Sequence, residues 1–203
     1  MREVKPSLDA IVLAAGRGSR FGGDKLLAPW RKGVLLDGAL SAAFAAPVQR
    51  VYLVVGADKD RLEQAARAWC KLSDVDERLT VVVAQTWADG LSASLKAGVD
   101  ALPPESAGAF VFLGDMPRIP IDVLAPLAEA LDGGASAAAP SYEGVLGHPA
   151  LIGAKLFARL ADLSGDRGAR TMLEQLGTRL ARVPASSDGV LFDVDTKDAL
   201  AQA

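Results

Sequence analysis

The stretch "IVLAAGRGSRFGGDK", Ile11 to Lys25, decides how this chain is read. An apolar run stops abruptly in a loop with glycines at 16, 18, 22 and 23, and that loop also carries Arg17, Arg20 and Lys25. A short apolar run closed by glycine reads as a buried strand of a parallel sheet, here over 8–15. Such a sheet takes its ligand outside the carboxyl ends of its strands, so the loop after the first strand is the expected site. Glycines let the backbone approach a phosphate closely, and their bare N–H groups donate to it. Spacing excludes two familiar loops. A P-loop needs G-x-x-x-x-G-K-[ST], but Lys25 is followed by Leu26. A dinucleotide fingerprint needs G-x-G-x-x-G; Gly16 and Gly18 fit, and the third place is Phe21. A diphosphate is balanced by a helix N-terminus alone. The added Arg20 and Lys25 point to more negative charge, a triphosphate whose terminal pyrophosphate must be stabilised as it leaves. The competing reading is a glycine-rich turn with solvated basic side chains.

Outward from the loop, short β-rich runs alternate with alanine-rich helical ones. Strands are expected at 50–56, 79–84, 109–115, 135–142, 148–152 and 178–184. Helices are expected at 35–46, 58–70, 91–102, 121–131, 169–177 and 196–203. Asp58 is placed to cap the second helix, and Pro126 sits awkwardly in the fourth. Residues 103–107 read as a turn. The alternation predicts an α/β fold with a mostly parallel sheet and helices on both faces. With 203 residues and no internal boundary, the expectation is one domain over 1–203.

Composition narrows the function classes. The net charge of −3 creates no basic field for nucleic acid. One cysteine, Cys70, permits neither an intrachain disulfide nor a thiolate metal cage, which suits a reducing compartment. No run approaches the ~20 apolar residues of a membrane span, and residues 1–10 lack a signal-peptide core. The expectation is a cytoplasmic protein with no nucleic-acid or membrane partner.

Further candidates lie downstream. In "AFVFLGDMP", Asp115 follows an apolar strand on the sheet edge that bears the glycine loop. A carboxylate there suits Mg²⁺, which takes hard oxygen ligands and often only one or two protein carboxylates; a turn aspartate before Pro117 is the alternative. In "LFDVDTKDAL", Asp193 and Asp195 precede a helix that either Asp195 or Thr196 caps. In "WADGLSASLKAG", Gly90, Ser92 and Ser94 open a helix with small polar groups suited to a base or ribose. Ser92 as an ordinary cap competes. His148, in "GHPAL", is the only histidine. In "LSGDRGARTML", glycines with Arg167 and Arg170 open a helix and form a plausible anion site.

These segments, in this order, resemble the nucleotidyltransferases of the molybdopterin guanylyltransferase superfamily, and within it most resemble the molybdenum cofactor cytidylyltransferases. "LAAGRGSRFGGDK" matches L-A-A-G-x-G-x-R-[FM]-G-x-x-K, whose loop wraps an NTP triphosphate; the likeness gives phosphate contacts to Arg20 and Lys25. It implies a three-layer αβα Rossmann-like nucleotide-diphospho-sugar transferase fold. It assigns the nucleotide to Leu13, Ala14, Ala15, Gly16, Gly18, Arg20, Lys25, Gly90, Ser92, Ser94 and Asp115. By G-D-x-P it assigns the metal, Mg²⁺ with Mn²⁺ as the alternative, to Asp115. By D-[IV]-D-T it adds Asp195, although Lys197 replaces the usual proline. Ala15 stands where GTP users tend to have glycine, which leans toward CTP. His148, Asp166 and Arg170 fall to a molybdopterin-type phosphorylated acceptor, with Leu146 where many members have arginine. Contact with a molybdoenzyme or its chaperone is implied in the same way.

The expected reaction is direct in-line attack of the acceptor phosphate on the α-phosphate of CTP. Arg20, Lys25 and Asp115 would be catalytic, and no protein nucleophile is needed. Alternatives are GTP with molybdopterin, CTP with a sugar or polyol phosphate, and a non-catalytic nucleotide- or cofactor-binding module. An NAD-dependent oxidoreductase is disfavoured by the failed glycine spacing and by the lack of an acid directly after the second strand.

Overall fold

A computed structural model describes residues 7–18, 20–161 and 168–203. The first strand is β1 (Ser7–Ala14), and almost every residue of it is buried. Its side chains alternate between two layers. Leu8, Ala10, Val12 and Ala14 pack into one hydrophobic cluster, and Ile11 and Leu13 into another. This is the two-residue period of a strand covered on both faces, and it explains the unbroken apolar run.

Three helices cover the first face: α1 (Leu36–Ala45), α2 (Lys59–Leu72) and α4 (Leu124–Asp132). The second face is covered by α3 (Leu91–Asp100), α5 (Phe157–Ala161) and α6 (Gly168–Glu174). Parallel neighbours of β1 are β4 (Val51–Val55) and β6 (Ser106–Leu113), with Ile11 opposite Tyr52 and Val111. β5 (Leu79–Val83) extends the sheet beyond β4. On the other side β9 (Ala150–Gly153) runs antiparallel to β6 and to β7 (Ala137–Tyr142). β10 (Leu180–Pro184) closes that edge parallel to β7, and β8 (Val145–Leu146) pairs antiparallel with β7. The order is β10-β7-β9-β6-β1-β4-β5, a mixed, mostly parallel sheet between two helical layers. α7 (Lys197–Ala201) follows near the end of the chain.

Several local expectations need correction. Ser106 and Ala107 already belong to β6, so the turn is shorter than 103–107. Asp58 occupies the N-cap position of α2 without a side-chain cap bond. Pro126 falls in the first turn of α4, where a backbone N–H has no intrahelical acceptor, so it is tolerated. The hairpin of β2 (Pro29–Trp30) and β3 (Gly33–Val34) has no strand-like pattern in the sequence. Its Val34 N–H donates to Asp37 Oδ2 at 2.9 Å, which ties it to α1. Among the described residues no helix is long and apolar enough to cross a membrane.

Candidate active site

The glycine loop leaves β1 and returns through a short 3₁₀ turn at Lys25–Leu27. Gly18 (φ 59), Gly22 (φ 96) and Gly23 (φ 94) adopt left-handed conformations that glycine takes without strain. Gly18 has a second role, because a Cβ there would lie 2.9 Å from the Cβ of Lys25. Any side chain at 18 would push Lys25 away. At Gly16 a Cβ would meet nothing within 4 Å, so the backbone stands open.

Lys25 is where the site converges. Its Nζ donates to Asp115 Oδ2 at 2.7 Å and to Asp195 Oδ1 at 3.1 Å. Arg20 Nη1 donates to the other oxygen of Asp195 at 3.2 Å. Asp115 follows β6 by two residues. Its carbonyl accepts a hydrogen bond from Val194 N at 3.0 Å, so the late "FDVD" segment is stitched directly beside it. Thr196 Oγ1, not Asp195, caps α7 by accepting from Ala199 N at 3.1 Å. The capping alternative is thereby assigned to Thr196, and the carboxylate of Asp195 faces the cleft.

Electrostatics follow from this packing. Burial alone would lower the pKa of Lys25, but the charge of Asp115 and hydrogen bonds to both acids more than offset it, so the ammonium is held above its ordinary range. The hydrogen bond from Lys25, with help from Arg20, pulls Asp195 below the usual carboxylate range. Asp193 moves the opposite way: burial, then the like charges of Asp115 and Asp195, raise it.

Two cavities meet here. The larger, of about 750 Å³, is lined by the loop from Leu13 to Gly18, by Arg20 and Lys25, by Gly90 and Ser94, and by Asp115, Asp193 and Asp195. Of the sequence candidates for the nucleotide, Ser92 alone stays out; it is buried and not part of this lining. Gly90, with φ 111, occupies the N-cap position of α3, and Ser94 lies one turn along. Trp87 forms one wall, seated against Gly56, where a Cβ would come within 2.6 Å of the indole. The guanidinium of Arg17 lies 4.8 Å from the centre of that ring.

The second cavity, of about 330 Å³, shares Leu91, Leu113 and Asp193 with the first. Its walls are mostly apolar, including Leu146, Ile152 and Leu173. His148 and Arg170 also line it, and Asp166 lies outside the described residues. Burial drives the imidazole of His148 below its ordinary pKa, so it is neutral near pH 7. Arg170 Nε donates to Glu174 Oε1 at 3.2 Å. Gly147 seats the "GHP" turn against Val190, whose carbonyl accepts from His148 N at 2.8 Å.

Sequence reasoning passed over Asp193 and Trp87 as site residues. Asp193 lies two residues from a chosen acid, and Trp87 lies three residues before Gly90, the first of the base- and ribose-type candidates. Proximity to these motifs was the available signal. Their placement on a shared wall depends on packing between distant segments.

The model of the MobA-like NTP transferase domain matches residues 10–181. The chain belongs to that family. Its members include nucleotidyltransferases, and this chain is one of them. The chain is 28% identical over 192 residues to molybdenum cofactor cytidylyltransferase of Escherichia coli K12, covering 95% of this chain and 93% of that protein. It is 32% identical over 199 residues to nicotine blue oxidoreductase of Paenarthrobacter nicotinovorans, with 94% and 93% covered. Among solved structures, Rv0371c of Mycobacterium tuberculosis H37Rv superposes with a TM-score of 0.82 at 24% identity, over 97% of this chain and 96% of that one. A complex of Rv0371c with manganese superposes at 0.77, over 97% and 96%. These neighbours share the mixed, mostly parallel sheet of the MobA-like fold.

Proposed function

We propose that this MobA-like transferase moves CMP from CTP to the phosphate of molybdenum-bound molybdopterin and releases pyrophosphate. The observation that carries the reading is one ammonium, Lys25, lying between two carboxylates at the mouth of a cavity of about 750 Å³, with a second cavity opening beside it. The likeness to the E. coli cytidylyltransferase and Ala15 in the loop support CTP over GTP.

The acids fit a divalent ion. Asp115 and Asp195 offer hard oxygens and already hold a cation between them, which is the donor chemistry of Mg²⁺ or Mn²⁺. Asp115 and Asp195 would hold such an ion, which would supply positive charge that reduces the repulsion between two anionic substrates. The chain's own groups do the rest. The open backbone at Gly16 and the N–H groups of the loop hold the triphosphate. Arg20 and Lys25 stabilise charge on the leaving pyrophosphate. An oxygen of the acceptor phosphate attacks the α-phosphorus as the bond to the β-phosphate oxygen breaks, and the electron pair leaves with pyrophosphate. No side chain is acylated or phosphorylated. Absence of the third glycine, with Phe21 in its place, argues against a nicotinamide dinucleotide despite the oxidoreductase relative. The single cysteine suits a cytoplasmic setting.

The test is a thermal-shift panel of CTP, GTP, ATP and UTP with Mg²⁺, followed by a pyrophosphate assay with CTP and molybdopterin. Stabilisation confined to CTP and pyrophosphate release dependent on the acceptor are expected. Stabilisation by GTP alone would move the chain to the guanylyl branch, and stabilisation by NADH but no nucleoside triphosphate would end the transferase reading.

A further inference from the structure

Three of the four carboxylate oxygens of Asp115 and Asp195 are taken by this chain's own cations. Lys25 holds Asp115 Oδ2 and Asp195 Oδ1, and Arg20 holds Asp195 Oδ2. Lys25 is not a loose surface charge: its side chain is 11% exposed, and Gly18 leaves its stem just enough room. Arg20 is the opposite, with its side chain 82% exposed. A free divalent ion approaching the two acids therefore meets an ammonium already between them. Like charges at such separations repel strongly in a partly desolvated cleft.

A triphosphate changes the balance. Bound in the cavity that Arg20 and Lys25 line, it would offer them new anionic partners. We infer that Lys25, assisted by Arg20, is an internal counter-ion that closes the acid pair to free divalent metal and releases it only when a nucleoside triphosphate arrives. This rests on the metal-assisted reading above. In the nucleotide-free protein Lys25 occupies the place between the acids. On binding, the cations pass to the phosphates and the acids pass to the metal, so charge is conserved in the exchange. The two ligands are coupled, and by linkage each raises the other's affinity by the same factor. The benefit is that the acids stay paired and positioned before substrate arrives, and metal without nucleotide does not occupy the site.

The experiment measures bound and free Mn²⁺ by electron paramagnetic resonance, on the full chain and without nucleotide. Wild type is expected to bind Mn²⁺ weakly. Lys25→Met is expected to bind it at least ~10-fold more tightly, because the pair then needs an external cation. Lys25→Arg should stay near wild type. So should Arg17→Met, which removes a cation that faces Trp87 rather than the acids. Equal or weaker binding by Lys25→Met, or an equal gain in Arg17→Met, overturns the inference and leaves the metal-assisted reading intact. Failure of wild type to bind Mn²⁺ even with CTP present overturns both. Wild type alone supplies a second test, through the ammonium resonance of Lys25 in ¹⁵N-lysine-labelled protein. Mg²⁺ alone should leave that resonance in place, and Mg²⁺ with CTP should move it; movement with Mg²⁺ alone overturns the inference.

Discussion

Lys25 Nζ lies 2.7 Å from Asp115 Oδ2, although 90 positions separate the two residues in the chain. The contact is made by two loops that leave adjacent parallel strands, β1 and β6, at the same end of the sheet. Gly114 N donates to Leu13 O at 2.9 Å, which locks the two exits together just before the paired side chains. Lys25→Ala should lower kcat/KM for CTP by ~10²–10³, as loss of a charge aimed at a developing anion does. Pyrophosphate release under steady-state conditions measures this. A loss below about fivefold would remove Lys25 from the chemistry.

The two acids should differ in what they contribute. Asp115 is more enclosed than Asp195, at 22% against 43% side-chain exposure, and its backbone anchors Val194. Asp115→Asn should abolish measurable turnover and also lower the melting temperature, because Lys25 loses its shorter ion pair. Asp195→Asn should cost turnover about as severely with a smaller thermal effect. Parallel melts and pyrophosphate assays check both; an active Asp195→Asn enzyme would remove Asp195 from the chemistry and leave that role to Asp115.

His148 gives a pH signature. Burial lowers its pKa in the folded protein below the ordinary 6.5, so the unfolded chain binds the proton more readily. Its contribution to stability is therefore present above pH 6.5 and is lost as pH falls below that value. Because it is the only histidine, the melting temperature of wild type should drop between pH 7.5 and 5.5. His148→Gln should flatten that slope. The raised Asp193, Asp9 and Asp37 have the opposite sign, stabilising as they gain protons, and act nearer the carboxylate range. An unchanged slope in His148→Gln would contradict the assignment.

Gly147 has no room for a methyl group: a Cβ would fall 2.3 Å from the backbone oxygen of Val190. Gly147→Ala should destabilise the fold by roughly 1–3 kcal/mol, in the range of overpacking substitutions. The strain would also shift the wall shared by His148 and Val190. Urea denaturation gives the stability change, and the KM for the acceptor should rise while that for CTP holds.

Trp87 walls the larger cavity between Gly56 and Arg17. Trp87→Ala should raise the KM for CTP about tenfold, comparable to the loss of one stacking or packing aromatic, with kcat nearly unchanged. A fall in kcat with constant KM would place Trp87 in the chemistry rather than in binding.

What the sequence determined by itself is local. Ile11–Ala14 must be a covered strand, because alternate residues have to bury on two faces. The glycines at 16, 18, 22 and 23 must make an open loop, because left-handed turns and close approach need them. The α/β alternation, and so the side of the sheet on which the loop opens, followed from the same patterns. Tertiary structure alone decided other features. The β2–β3 hairpin has strands of two residues, too short for any period to register. The antiparallel insertion of β9 between β6 and β7 depends on which sheet edge is free, not on the content of "ALIG". That Asp195 faces the cleft follows from Thr196 taking the cap and from Val194 bonding to Asp115. Asp193 became a shared wall through that same seam. These are contacts between segments that lie far apart in the chain, and local propensity carries no record of such distances.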